Sequence, residues 1–180
     1  NLLNFLNGRS NRRGKFNFNS SLKPCHYQWH IVSLQEKKEI IMYYSIAYSQ
    51  QYLIQHSIKP SVQRTAVMDY LLNNRTHPTV DEIFSALSPS MPTLSKTTVY
   101  NTLNIFIERG AARMLTIDEK NARYDVDTTP HAHFICQQCG KVYDVFDVNP
   151  EVLQLPKNEN FKADSVEVFY YGVCNNCSSN

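Results

Sequence analysis

The sequence predicts an α+β protein: a helical N-terminal domain closing in a two-stranded ribbon, then a smaller α/β domain built on short strands. Three observations predict it. Helix capping and stopping signals recur between residues 43 and 110, strand-like apolar runs take over beyond residue 110, and four of the five cysteines form two C-x-x-C pairs. Over 180 residues, 42% hydrophobic and 12% aromatic content are those of a folded chain holding one domain or two small ones.

Composition also limits the setting. No apolar run approaches the ~20 residues that cross a bilayer, so no membrane role is expected. The basic N-terminus lacks an apolar segment followed by a small-residue cleavage site. The expected location is the cytoplasm, where thiols stay reduced and paired cysteines mean metal or redox chemistry. The net charge of +2 hides a gradient: residues 1–58 carry seven Lys/Arg against two Asp/Glu, residues 59–113 six against four, and residues 114–180 five against ten. A mildly basic middle is compatible with DNA without arguing for it.

Residues 1–41, rich in Asn, Ser, Lys and Arg, have no sustained period and read as a tail. Gln35-Glu36-Lys37-Lys38-Glu39 is encoded only by purine-rich codons, a few codons before Met42, which resembles a ribosome-binding site. The expectation is that Met42 is the natural start and 1–41 a disordered or non-native leader; the alternative is a genuine flexible extension. Cys25 lies there, unpaired.

Residues 42–127 form the first domain. A first helix suits 43–56. Pro60-Ser61 supplies a break and an N-cap for a helix over 62–74, with Val62, Ala66, Tyr70 and Leu71 on one face. Thr79-Val80-Asp81-Glu82 is a capping box that opens a short helix with Ile83, Phe84 and Leu87 inward, and Pro89 and Pro92 end it. Ser95 caps a fourth helix over 96–109 whose Val99, Leu103 and Phe106 share a face, and Gly110 stops it. Short strands over 111–117 and 122–126 flank the polar turn Asp118-Glu119-Lys120-Asn121. Helices followed by a ribbon form the winged helix-turn-helix pattern, although many small helical cores show the same stripes. In it the helix 96–109 enters the DNA major groove. Ser95, Lys96, Thr97 and Thr98 then suit phosphate contacts, and Tyr100 and Asn101 suit base edges.

Residues 128–180, beyond Pro130, form the second domain. Strands are expected over 132–136, 141–146 and 165–173, in a small antiparallel sheet, with one short helix near 150–155. Cys136/Cys139 and Cys174/Cys177 each let two sulfurs face one ion, and together they make a tetrahedral site suited to structural Zn2+. A redox dithiol is the alternative, but the βαβ context of such motifs is missing. His131 and His133 project to one face of a strand, and Asp125 and Asp144 lie on neighbouring strands. Imidazole and carboxylate without thiolate favours Fe2+ or Mn2+. The competing reading makes these solvated strand residues and turn terminators.

The order of motifs over about residues 58–178 resembles the ferric uptake regulator family. The matching pieces are Ser61-Val62-Gln63-Arg64, His77 to Ile83, Ser95 to Leu103, Arg123-Tyr124-Asp125, His131 to Gly140, and Tyr171 to Cys177. The resemblance implies a homodimeric repressor of double-stranded operator DNA, with a winged-helix domain and a C-terminal dimerisation domain holding a zinc bound by four cysteines. It also implies a regulatory Fe2+ or Mn2+ site at His77, Asp125, His131, His133 and Asp144. Asp125 and Asn101 are similar to the peroxide-sensing branch, in which peroxide oxidises a ligand, His77 or His131, and releases the DNA. The additional metal site of some relatives is lost, since Pro130 and Ala132 replace its ligands. The alternatives are an iron-, zinc- or manganese-responsive repressor without peroxide sensing, or a non-haem iron enzyme. No small organic substrate is expected.

Overall fold

In the computed structural model the described residues are 33–116 and 122–178. Most of the expected leader, Cys25, and the turn Asp118–Asn121 lie outside them. The chain divides into two units between Tyr44 and Ser45. Helix α1, Leu34–Gln55, runs across that boundary and begins upstream of Met42. The tail reading of 34–41 is therefore corrected: Gln, Glu and Lys are good helix formers, and Gln35 donates to Glu39 one turn on at 3.2 Å. Among the described residues, no helix is long and apolar enough to cross a membrane.

The second unit starts with the rest of α1 and continues through α2 (Val62–Asn73), α3 (Val80–Leu87) and α4 (Lys96–Glu108). Their ends are set locally. Ser61 accepts from the Arg64 backbone, Thr79 and Glu82 form the reciprocal capping box, and Ser95 accepts from the Thr98 backbone. At the far end of α4, Gly110 takes a left-handed φ of +66°. Gly110 N donates to Ile107 O at 3.0 Å and Ala111 N to Phe106 O at 2.8 Å, a Schellman termination.

The helices bury a core of Leu53, Met68, Leu71, Ile83, Leu103 and Phe106. On α3 only Ile83 is fully buried, with Phe84 and Leu87 partly covered. The expected face of α2 needs correction. Thr65, Val67, Met68, Leu71 and Leu72 point inward, whereas Val62 is 80% exposed and Ala66 and Tyr70 are only partly covered. Val62 opens the helix next to its cap and projects past the edge of the core. Apolar residues almost surround α2, so its sequence does not select one stripe.

Two sheets follow. Strands β1 (Arg113–Leu115) and β2 (Arg123–Asp125) form the antiparallel ribbon, with Arg113 opposite Asp125. The other sheet has the order β4-β3-β5, from β3 (Ala132–Cys136), β4 (Val142–Val145) and β5 (Phe169–Gly172). It is mixed, not antiparallel as expected: β3 pairs with β4 antiparallel and with β5 parallel. The chain after β4 returns to the start of β3 before β5 begins, so β5 must run the same way. The helix expected near 150–155 is a short 3-10 turn, Pro150–Leu153, capped by Asn149; a short helix, α5, at Asn175–Ser178 is the last element among the described residues.

The α2 face is open to measurement. Leu71→Ala is expected to cost about 2–5 kcal/mol and Val62→Ala less than about 0.5 kcal/mol in urea denaturation of the full chain. Equal losses at both positions would contradict the buried face.

Candidate metal centres

Parallel pairing of β3 and β5 sets Cys136 level with Gly172, and Gln137 N donates to Gly172 O at 2.8 Å. Each strand leaves the sheet at the same end and enters a C-x-x-C turn. The first turn closes with Gly140 at φ +70°, its N–H donating to Cys136 O at 2.8 Å. The four sulfurs of Cys136, Cys139, Cys174 and Cys177 lie within 4.8 Å of one another. Cys139 and Cys174 are 3.8 Å apart. Sulfurs bonded to one zinc at ~2.3 Å stand ~3.8 Å apart at the corners of a tetrahedron, so the spacing fits that ion. The Cys174 backbone N–H approaches Cys136 Sγ at 3.3 Å. That N–H and the one of Cys139 bring the Cys136 thiol down to about 6 against the effect of burial, favouring the thiolate that a metal requires.

The second cluster gathers His77, Asp125, His131, His133 and Asp144, whose donor atoms also lie within 4.8 Å of one another. Asp125 and Asp144 are not on neighbouring strands as expected. They belong to β2 of the ribbon and β4 of the other sheet, which meet here. His133 sits opposite Asp144 in the β3–β4 register, and His131 lies just before β3. His77 comes from the loop between α2 and α3 in a left-handed conformation, φ +53°. That costs a non-glycine residue about 1–3 kcal/mol. The ribbon holds it: Arg123 Nη1 donates to His77 O at 3.0 Å, and Tyr124 N to Pro78 O at 3.1 Å.

The three imidazoles point their Nε2 atoms inward. His77 Nε2 is 2.7 Å from Asp144 Oδ1, His131 Nε2 is 3.2 Å from the same oxygen, and the two nitrogens of His131 and His133 are 3.1 Å apart. Asp125 Oδ2 stands 3.3 Å from His131 Nε2 and 3.6 Å from His133 Nε2. Donors bound at ~2.1 Å to one ion lie ~3 Å apart when adjacent and ~4 Å when opposed, which matches this shell. His77 Nε2 and Asp144 Oδ1 are buried with no well-directed hydrogen bond. Orphaned polar atoms of this kind are rare and call for a partner, which a cation between them supplies.

Charge supports the same conclusion. Burial opposes ionisation of Asp125 and Asp144, yet the imidazoles crowded against them hold both carboxyls well below the usual range. For His131, burial is likewise outweighed by Asp125, Asp144 and the Thr129 carbonyl, which raise it to about 9. The pocket therefore demands positive charge. Nδ1 of His131 lies 2.8 Å from Thr129 O, an arrangement that frees Nε2 for a metal.

The remaining candidates lie at the start of α4. Thr97, Tyr100 and Asn101 are exposed, Tyr100 at 51%. Ser95 and Thr98 are engaged with each other in the cap, Oγ to Oγ1 at 2.8 Å, and Lys96 pairs with Asp81 at 2.8 Å. Two residues escaped sequence reasoning: Arg123, which supports His77, and Arg113, which touches both Asp125 and His131. Arg123 lies in the matching piece Arg123-Tyr124-Asp125, which assigned it no role; no motif marks Arg113, for which cross-strand register was the only available signal.

Comparison with known proteins agrees with this picture. The model of the Ferric uptake regulator family matches residues 55–171. The chain is 39% identical over 127 residues to a peroxide-responsive repressor, PerR, of Staphylococcus aureus, covering 69% of this chain and 86% of that protein. Among solved structures, the Helicobacter pylori ferric uptake regulator superposes with a TM-score of 0.56 at 22% identity, covering 76% of this chain and 93% of that one. The Francisella tularensis regulator with iron gives a TM-score of 0.54 at 22% identity, over 67% and 95% of the two chains. With a winged-helix half and a small sheet half bearing four clustered cysteines, the chain belongs to the ferric uptake regulator family.

Proposed function

We propose that this metal-responsive repressor acts as a homodimer that binds operator DNA through α4 while a regulatory metal is held, and that peroxide relieves repression. The observation that carries the reading is the convergence of five donors, four of them from buried residues, from the ribbon, the α2–α3 loop and the second sheet on one point. The domain border is taken at 127–128, and the reading assigns Cys136, Cys139, Cys174 and Cys177 to a permanent zinc. His77, Asp125, His131, His133 and Asp144 are assigned to Fe2+ or Mn2+. Five protein donors crowd one ion, whereas non-haem iron enzymes leave several positions open for substrate, so a regulator and not an enzyme is favoured.

His77 and Asp125 are tied to the DNA-binding half, and His131, His133 and Asp144 to the sheet half. Joining them fixes the relative orientation of the halves, which couples metal occupancy to the spacing of two α4 helices in a dimer. Exposed Leu155, Phe161, Tyr171 and Val173 on the second half suit burial against a second copy. Thr97, Tyr100 and Asn101 are free to meet DNA, with Lys96, Ser95 and Thr98 nearest the phosphates. Fe2+ held by these residues would supply reducing electrons to hydrogen peroxide, and His77 and His131 would be the imidazoles beside the oxidant formed; Mn2+ would not support that chemistry well. The resemblance to a peroxide-responsive repressor, with Asp at 125 and Asn at 101, favours this reading over repression by iron, zinc or manganese alone.

Three outcomes are expected. Removing zinc with a strong chelator, or Cys136→Ser, will unfold the sheet half, seen as lost β signal in circular dichroism and reaction of the site thiols, four after chelation and three in the variant; a native spectrum after zinc removal would contradict a structural role. His77→Ala will weaken Mn2+-dependent operator binding by at least ~100-fold with zinc content unchanged, because even outer-shell partners are worth 10–100-fold. Peroxide added to the Fe2+ form will release DNA and add oxygen to the peptides holding His77 or His131, read by mass spectrometry. Continued DNA binding with unmodified histidines would overturn peroxide sensing.

A further inference from the structure

Arg113 stands opposite Asp125 at the base of the ribbon. Its Nε donates to Asp125 Oδ2 at 3.1 Å, and its Nη2 donates to the Thr129 carbonyl at 3.1 Å. Nη2 also packs against the His131 ring, 2.7 Å from Nδ1 and 3.1 Å from Nε2. One planar side chain thus touches a carboxylate donor, an imidazole donor and the connection between the two halves.

The arrangement of Asp125 shows what this contact does. Its Oδ1 accepts from the Asp127 backbone at 2.8 Å, while its Oδ2, the oxygen nearest His131 and His133, is the one held by Arg113. Without the guanidinium, Oδ2 loses its tie to the opposite ribbon strand and has only the imidazoles of the site against it. The Thr129 carbonyl, which also receives His131 Nδ1, would lose its tie to the ribbon. A positive charge beside a cation site opposes metal binding, so an arginine here helps the site only if its geometry outweighs its charge. Lysine carries the charge without the fork that spans two acceptors.

We propose that Arg113 is a positioning residue of the regulatory site, fixing Asp125 and the Thr129 carbonyl so that the five donors face one ion. The inference rests on the reading of that site given above. The test uses the zinc-loaded full chain as wild type, Arg113→Gln and Arg113→Lys, titrated with Mn2+ and Co2+. Expected are a ~10–100-fold loss of Mn2+ affinity in both variants and a changed Co2+ d–d absorption band, with zinc content and thermal midpoint as in the wild type. Tighter binding by Arg113→Gln with wild-type behaviour of Arg113→Lys would assign a role of charge alone and overturn the proposal. So would wild-type affinity and spectrum in both variants. A wild-type chain that takes up no second ion would instead bring down the site reading, and this inference with it. If Arg113→Gln loses its zinc, the comparison stands on Arg113→Lys.

Discussion

Strand β5 enters the second sheet beside β3 and in the same direction, and the architecture of that half follows from the pairing. An antiparallel β5 would send the second C-x-x-C turn to the opposite end of the sheet from the first. Parallel register puts both at one end, with the backbone of Cys174 against the sulfur of Cys136. The contact is close: a side chain on Gly172 would meet the Phe134 ring at 3.1 Å. Strand β3, which ends in Cys136, begins beside His131 and carries His133, so tethering one end steadies the donors at the other.

The second constraint is electrostatic. Two buried carboxylates among three imidazoles are tolerated only where positive charge accompanies them. Because those groups come from the α2–α3 loop, the ribbon and the second sheet, the charge requirement ties these three parts together. His77 is held in a strained backbone conformation by Arg123 and Tyr124 of the ribbon, so its place in the cluster depends on where the ribbon lies.

Much of this was legible in the sequence, for identifiable reasons. Ser61, Thr79, Ser95 and Gly110 mark helix ends through contacts three to five residues away, so their signals are local. Cysteine pairs and His-x-His carry their chemistry in their identity, and those residues do cluster; His77 was indicated only by the family resemblance. The inward face of α2 was not legible, because apolar residues such as Val62 lie on its outer side too. Nor was the direction of β5, since alternation encodes which face is buried and not which way a neighbour runs. The extension of α1 upstream of Met42 was hidden by polar residues that suit a tail and a helix equally. Arg113 depends on register across the ribbon, which no linear spacing reveals.

The closeness of the two centres along β3 has one more consequence. His133 and Cys136 are three residues apart on one strand, about 10 Å at ~3.3 Å per residue. On the proposed reading, the sulfur-bound ion is a precondition for the other ion's shell, so loading is sequential: the scaffold metal first, the exchangeable one after. A cell's response to one metal then becomes conditional on its supply of another. Such a protein works as a two-input gate in which zinc sufficiency licenses the sensing of iron or manganese.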